Sequence, residues 1–356
     1  MSSSNGATPK DVQPSMVKID THSHIYPDFY KEAVIAAGWT PGPDGIPYHP
    51  TWSVEGHLDF MKQNNIKKSV LSCSSPGTNL IPGDVDSAVA LTRKMNNLLA
   101  LLKQQHPTQF GFFASLPLPF IEESLTEIDR VVKNLNPDGF MFLSNAHGLY
   151  SGSPLLAPIY SKLNAVNAII FIHPTCPCPS GAPKTTGTAS LNNIAPLMDT
   201  NPAPILEFIF DTTRNLSDLL FTGTASRNQN LKWIIPHCGA TIPSLIDRLV
   251  ALNSMLGFKP ESDRTREPLS YEDVLHLFEK QFWFDLAGTP IRNQIHGMMR
   301  LVGRTKFLYG SDVPFTPFKA AKGLAEGLEA GLKELMEEDE VRGVLCGNAE
   351  RLFGVE

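Results

Sequence analysis

Eight short apolar runs, each followed by a helical stretch, constrain this chain more than any other feature. They are Val17–Ile25 (VKIDTHSHI), Lys68–Ser74 (KSVLSCS), Phe110–Leu116 (FGFFASL), Gly139–Ser144 (GFMFLS), Ala168–His173 (AIIFIH), Lys232–Cys238 (KWIIPHC), Phe282–Ala287 (FWFDLA) and Lys306–Asp312 (KFLYGSD). Most are apolar throughout rather than alternating, the pattern of parallel strands covered on both faces. Helical stretches are predicted at Val54–Asn65, Asp84–Gln105, Ile121–Leu135, Pro154–Val166, Ile205–Thr224, Ser244–Asn253, Tyr271–Lys280, Ile291–Val302, Ala320–Glu337 and Glu340–Leu352. This alternation predicts an α/β fold of the (β/α)₈ TIM-barrel type, although an open doubly wound sheet shares it. A length of 356 residues suits one barrel, and 42% hydrophobic residues supply its core. We expect one barrel domain over residues 16–356 and a polar, disordered or loosely draped leader over 1–15.

Two connections exceed simple turns. Pro27–Ser53 leaves the first run and Pro174–Pro204 leaves the fifth, both rich in Pro, Gly, Ser and Thr. Long loops leaving strands that carry histidine read as lids or substrate walls. A linker between domains is the alternative, but strands continue on the same pattern afterwards.

The net charge of −6, with no block of Lys or Arg, argues against a nucleic-acid partner. No stretch reaches the roughly 18 uninterrupted apolar residues of a membrane span. The N-terminus has no apolar segment of the secretory type. Five cysteines, at 73, 176, 178, 238 and 346, form no disulfide framework, and a reduced, cytoplasmic setting is expected.

Ionisable residues fall where such a barrel opens. His22 and His24 close the first run, His173 the fifth, His237 the sixth and Asp312 the eighth. Barrel enzymes build their sites at this C-terminal face. Residues i and i+2 of a strand share a face, so His22 and His24 can reach one ion at about 2.0–2.1 Å. Three imidazoles and one carboxylate suit Zn²⁺, with Mn²⁺ as a substitute.

Other candidates carry open alternatives. His237 could be a satisfied core histidine. Asp285 could orient a ligand or cap a loop, and Asp20 could support His22 or simply be polar. His147 reads better as a surface loop residue, and Cys176-Pro-Cys178 is too closely spaced for a zinc knuckle. Arg214 could anchor a carboxylate or lie exposed. His49, His57, His106, His276 and His296 read as packing or surface residues.

The motifs IDTHSHIYP, FIHP, IIPHCGATIPSLIDR, FWFDLAG, FLYGSDVPF and CGNAERLFG resemble the amidohydrolase superfamily. Within it they resemble the decarboxylases typified by aminocarboxymuconate-semialdehyde decarboxylase. The helix LEFIFDTTR and the chain length are most similar to fungal 6-methylsalicylate decarboxylases. The resemblance covers nearly the whole chain from Val17.

The resemblance implies that His22, His24, His173 and Asp312 hold the metal. It also implies that His237 assists proton transfer and that Arg248 recognises a substrate carboxylate near a homodimer interface. The activity implied is metal-dependent, nonoxidative decarboxylation of a small hydroxylated aromatic acid. Hydrolysis by a metal-activated water is the alternative, because the ligand set alone does not separate the two. The family's glycine-rich run after the sixth-strand histidine is replaced here by Cys238-Gly239-Ala240. Two-ion relatives carry a carboxylated lysine on strand four, and GFMFLS has none, so one divalent ion is expected.

Overall fold

The computed structural model describes residues 15–178, 197, 200–257, 259 and 267–354. Apart from Ser15, the leader lies outside the described residues, as do 179–196, 198 and 199 of the second long loop.

The strands are β1 (Lys18–His24), β2 (Ile66–Ser72), β3 (Phe110–Ser115), β4 (Gly139–Leu143), β5 (Asn145–Ala146), β6 (Leu149–Tyr150), β7 (Ile169–His173), β8 (Lys232–Ile235), β9 (Phe282–Asp285) and β10 (Phe307–Leu308). β5 and β6 form a small antiparallel hairpin absent from the sequence expectation. The other eight make one parallel sheet in the order β1-β2-β3-β4-β7-β8-β9-β10. Its two edges meet through bridges joining Asp20 to Tyr309 and Ser23 to Val313. There Thr21 N donates to Tyr309 O at 3.0 Å and His24 N to Val313 O at 2.8 Å. With helices between the strands, this is the expected (β/α)₈ barrel.

The strands carry almost no exposed surface because side chains fill both the barrel interior and the seam to the helices. Phe112, Phe113, Phe171 and Ile172 are fully buried, and the Phe113 and Phe171 rings stack with centroids 5.3 Å apart. Each such burial contributes roughly 1.5–3 kcal/mol. β1 shows the division of faces. Ser23 turns outward, its Oγ 3.2 Å from His57 Nε2 on the helix Val54–Gln63, while His22 turns inward against Phe171. Helix starts are capped where the sequence supplies an acceptor: Ser53 accepts from Gly56 N, and Asp84 from Ser87 N.

Some boundaries differ from expectation. The first long loop contains a helix, Asp28–Ala36, whose Tyr30 and Val34 are buried. The predicted helix over Ile291–Val302 is regular only at Gln294–Met298. The last stretch is broken by a wide turn at Gly343–Gly347. The sixth strand ends at Ile235, because Pro236 has no N–H to extend the ladder, and His237 sits in the following turn. The eighth ends at Leu308, because the next residues cross to β1: Asp312 N donates to His22 O at 2.8 Å.

Candidate metal centre

His22, His24, His173 and Asp312 converge at the C-terminal mouth of the barrel, each offering one atom within 4.8 Å of the others. The rings of His24 and His173 lie 4.6 Å apart, and those of His22 and His24 5.0 Å, all steeply inclined. Each imidazole is fixed through Nδ1. His22 Nδ1 donates to Asp285 Oδ2 at 3.0 Å, and His173 Nδ1 to the Pro174 carbonyl at 2.7 Å. His24 Nδ1 lies 2.9 Å from Ser72 Oγ, whose own hydroxyl donates to Ser23 O, so the histidine nitrogen is the donor. With Nδ1 committed as a donor, each imidazole in its neutral form presents the Nε2 lone pair.

Two of those lone pairs test whether a cation fits. His22 Nε2 and His24 Nε2 are buried without a hydrogen-bond partner. Buried polar atoms left unpaired cost roughly 1–3 kcal/mol each, so such a pair on one point needs an explanation. A divalent ion supplies it, because neutral imidazole Nε2 is a metal ligand when its other nitrogen is tied to a carboxylate or carbonyl.

The electrostatics agree. Burial disfavours charge on His22, but Asp285 and Asp312 outweigh it and push the imidazole up to about 10. Burial also works against ionised Asp312, yet the charge of His22 holds it well below the usual carboxylate range. His24 and His173 are pushed down, mainly by burial. Two carboxylates thus retain one positive charge among three histidines even without an ion. A divalent cation would displace that proton.

Backbone geometry is unusual at the same place. Asp312 has φ 59°, His237 φ 49°, Cys238 φ 54° and Ala240 φ 55°. Left-handed backbone at non-glycine residues costs of order 1–3 kcal/mol and concentrates at functional sites. Gln294 Nε2 clamps the 237–240 turn by donating to His237 O at 2.6 Å and to Ala240 O at 2.7 Å. The glycine-type turn therefore persists with Cys238 and Ala240 in place. Gly310 is needed for another reason: a Cβ there would lie 2.7 Å from His22 Cβ.

A cavity of about 140 Å³ stands above the cluster. Its floor is His173, His237 and Asp312, and its walls include Ile46, Phe208 and Phe315. Ile46 and Asp44 come from the first long loop, and Pro204 closes the second, so both loops reach the site.

A family model for amidohydrolases matches residues 19–355. The chain belongs to the amidohydrolase family. A 6-methylsalicylic acid decarboxylase of Penicillium expansum is 32% identical to this amidohydrolase over 341 residues, covering 95% of this chain and 96% of its own. One of Aspergillus aculeatus is 32% identical over 304 residues, covering 85% of each chain. The crystal structure of an amidohydrolase II superposes with a TM-score of 0.78 at 31% identity, over 95% of this chain and 99% of its own.

In this amidohydrolase His237 lies beside the cluster, its ring 5.1 Å from that of His22, and it faces the cavity. Asp285, undecided from sequence, binds His22 Nδ1 with one oxygen and accepts from His237 N and Ala287 N with the other. Its place at a strand end, like that of His173, was the available signal. Asp20 accepts from His22 N at 3.2 Å and from both Ser311 N and Ser311 Oγ, steadying the segment that carries Asp312. Burial pushes Asp20 up to about 7.

Arg248 is not brought to the cluster. It lies exposed on the helix Ile242–Leu256 and is not among the residues lining the cavity over the cluster. Arg214 reaches the buried Asp211 at 3.5 Å instead of the cavity. His147 is not a plain surface residue: its Nε2 lies 3.0 Å from Asn79 O in a cavity wall. Asp44 was not singled out in the sequence. It is 2% exposed in a left-handed turn, φ 55°, and no local pattern marks it.

Proposed function

We propose that this amidohydrolase is a nonoxidative, metal-dependent decarboxylase of a salicylate-type acid, with 6-methylsalicylate as the first candidate. The observation that carries the reading is the cavity over the cluster. Cavities near 150 Å³ hold benzene, so about 140 Å³ lined by Ile46, Phe208 and Phe315 fits one aromatic ring over the four candidate ligands. The two fungal relatives, each named a 6-methylsalicylic acid decarboxylase, support the same substrate class.

In this reading His22, His24, His173 and Asp312 hold one divalent ion, Zn²⁺ by the chemistry of three imidazoles and a carboxylate. The bound ion supplies Lewis acidity toward the substrate's carboxylate and ortho hydroxyl oxygens. Asp312, with its side chain 23% exposed while the histidines His22 and His24 are closed off, takes up the proton of the substrate's ortho hydroxyl and passes it to the ring carbon that bears the carboxylate. His237 orients the acid group and assists that transfer. Protonation interrupts aromaticity. The carbon–carbon bond then breaks, its electron pair returns to the ring, and CO₂ leaves. Ile46, Phe208 and Phe315 exclude water, which keeps these charges strong.

The remaining assignments belong to the same reading. Residues 16–356 act as one barrel domain behind the leader 1–15, and the enzyme works as a cytoplasmic homodimer. Arg248, exposed in the single chain, would recognise the carboxylate from or near the dimer interface. No described helix is long and apolar enough to cross a membrane.

The test is mass spectrometry of metal-loaded protein with 6-methylsalicylate and other salicylate-type acids. Release of CO₂ with 3-methylphenol supports the reading. No loss of CO₂ from any of them, or a ring-opened product heavier by one water from a lactone, overturns it in favour of hydrolysis.

A further inference from the structure

A second cavity, of about 170 Å³, lies beside the metal centre. Its apolar walls include Trp39, Leu118, Met141 and Ala146. Two contacts form the partition between the cavities. Ser75 Oγ and Thr175 Oγ1 are 2.7 Å apart, and Cys176 Sγ meets Asp44 Oδ1 at 3.2 Å. Asp44 faces the metal cavity, whereas Thr175 and Cys176 face the second.

The polar groups of this second cavity are incompletely used. Asn79 is 7% exposed; its Nδ2 donates to Leu118 O at 3.0 Å, but its Oδ1 has no partner. Ser115 is 2% exposed; its backbone N donates to Asn96 Oδ1, but its Oγ has no partner. Two buried groups left unpaired in one cavity wall are costly unless something completes them. Asn79 Oδ1 can only accept, and the Ser115 hydroxyl can donate or accept.

Charge narrows the occupant. No Lys, Arg, Asp or Glu lines this cavity among the described residues, and burial pushes its one lining histidine among them, His147, toward the neutral form, so a buried carboxylate would have no counter-charge. A neutral hydroxyl suits such walls, and Asn79 and Ser115, both in the lining, carry polar atoms that the fold leaves uncommitted. The volume is slightly above what benzene needs.

We propose that this cavity is a binding site for a neutral monocyclic phenol, separate from the metal centre. On the decarboxylase reading, a phenol of this kind is the product, and the cavity would hold it while leaving the acid to the metal. That last link rests on the proposed function; the phenol site itself does not.

Equilibrium dialysis of the metal-loaded protein with 3-methylphenol, and with 3-methylbenzoate as the charged counterpart, tests it. Ala146→Phe fills the cavity from the edge of the small hairpin and is expected to weaken 3-methylphenol binding at least tenfold. Ser115→Ala removes a hydroxyl that bonds nothing in the fold, so folding is preserved. It is expected to weaken phenol binding roughly three- to tenfold, one hydrogen bond's worth. In His173→Ala, phenol binding should persist while 3-methylbenzoate binding falls. Phenol binding unchanged in both cavity variants, or lost with His173→Ala, overturns the proposal. Dialysis reads no turnover, so a failure of CO₂ release refutes the decarboxylase reading without touching this result, and the converse also holds.

Discussion

The two ends of β1 are built on opposite principles. At the base, Lys18 is 1% exposed, and its ammonium donates to Ser15 Oγ at 2.5 Å, Met16 O at 2.9 Å and Glu329 Oε2 at 3.1 Å. An ammonium has three donors, and all three are matched. At the mouth, four residues later, His22 is also buried, yet neither its Nε2 nor that of His24 makes a hydrogen bond, with Asp312 Oδ1 3.5 and 3.3 Å away. Folding has satisfied one end and left the other incomplete. Closed valences at the base serve the barrel, and open ones at the mouth await a ligand, as expected of barrel enzymes.

Substitutions at the mouth should therefore cost function, and those at the base should cost stability. His173→Ala should abolish both metal content, read by elemental analysis, and CO₂ release; full activity would refute the site assignment. His237→Asn should keep the metal but lower kcat by roughly 10²–10⁴, the usual range for an acid–base group. Asp285→Asn weakens the partner that orients His22 and should reduce metal affinity about 10–100-fold, measured by competition with a chelator. Unchanged affinity would make Asp285 merely a loop cap.

Lys18→Met should leave metal content and kcat intact while destabilising the fold by about 3 kcal/mol in denaturant unfolding. The cost lies at the low end for a broken buried pair because Lys333 still faces Glu329 at 2.9 Å. The same pair sets an acid limit. Burial would raise Glu329, but hydrogen bonds from Lys333 and Lys18 hold it down to about 2, from an ordinary 4.5. A depressed carboxyl stabilises above its unfolded value, so this contribution is complete above about pH 4.5 and lost as pH falls toward 2. In Lys18→Met that part of the acid-unfolding curve should flatten.

Much of the mouth was legible in the sequence because each ligand candidate lies at or just beyond the end of an apolar run. His22, His24, His173 and Asp312 needed only the rule that strand ends open on one face. The base was less legible, since Lys18 and Glu329 are 311 residues apart and neither breaks a local pattern. The same limit hid Asp44, which enters the cavity on a left-handed turn inside a loop, and the helix Asp28–Ala36. Arg248 shows the converse: a motif position recognised by resemblance lies exposed on its helix.

The central claim is that the four mouth residues hold one ion and that turnover depends on it. Titrating metal-stripped protein with Zn²⁺, while following bound metal and CO₂ release from 6-methylsalicylate together, tests it most directly. The account predicts that both rise in parallel and saturate at about one ion per chain. Full CO₂ release from metal-free protein, or saturation at two ions per chain, would contradict it.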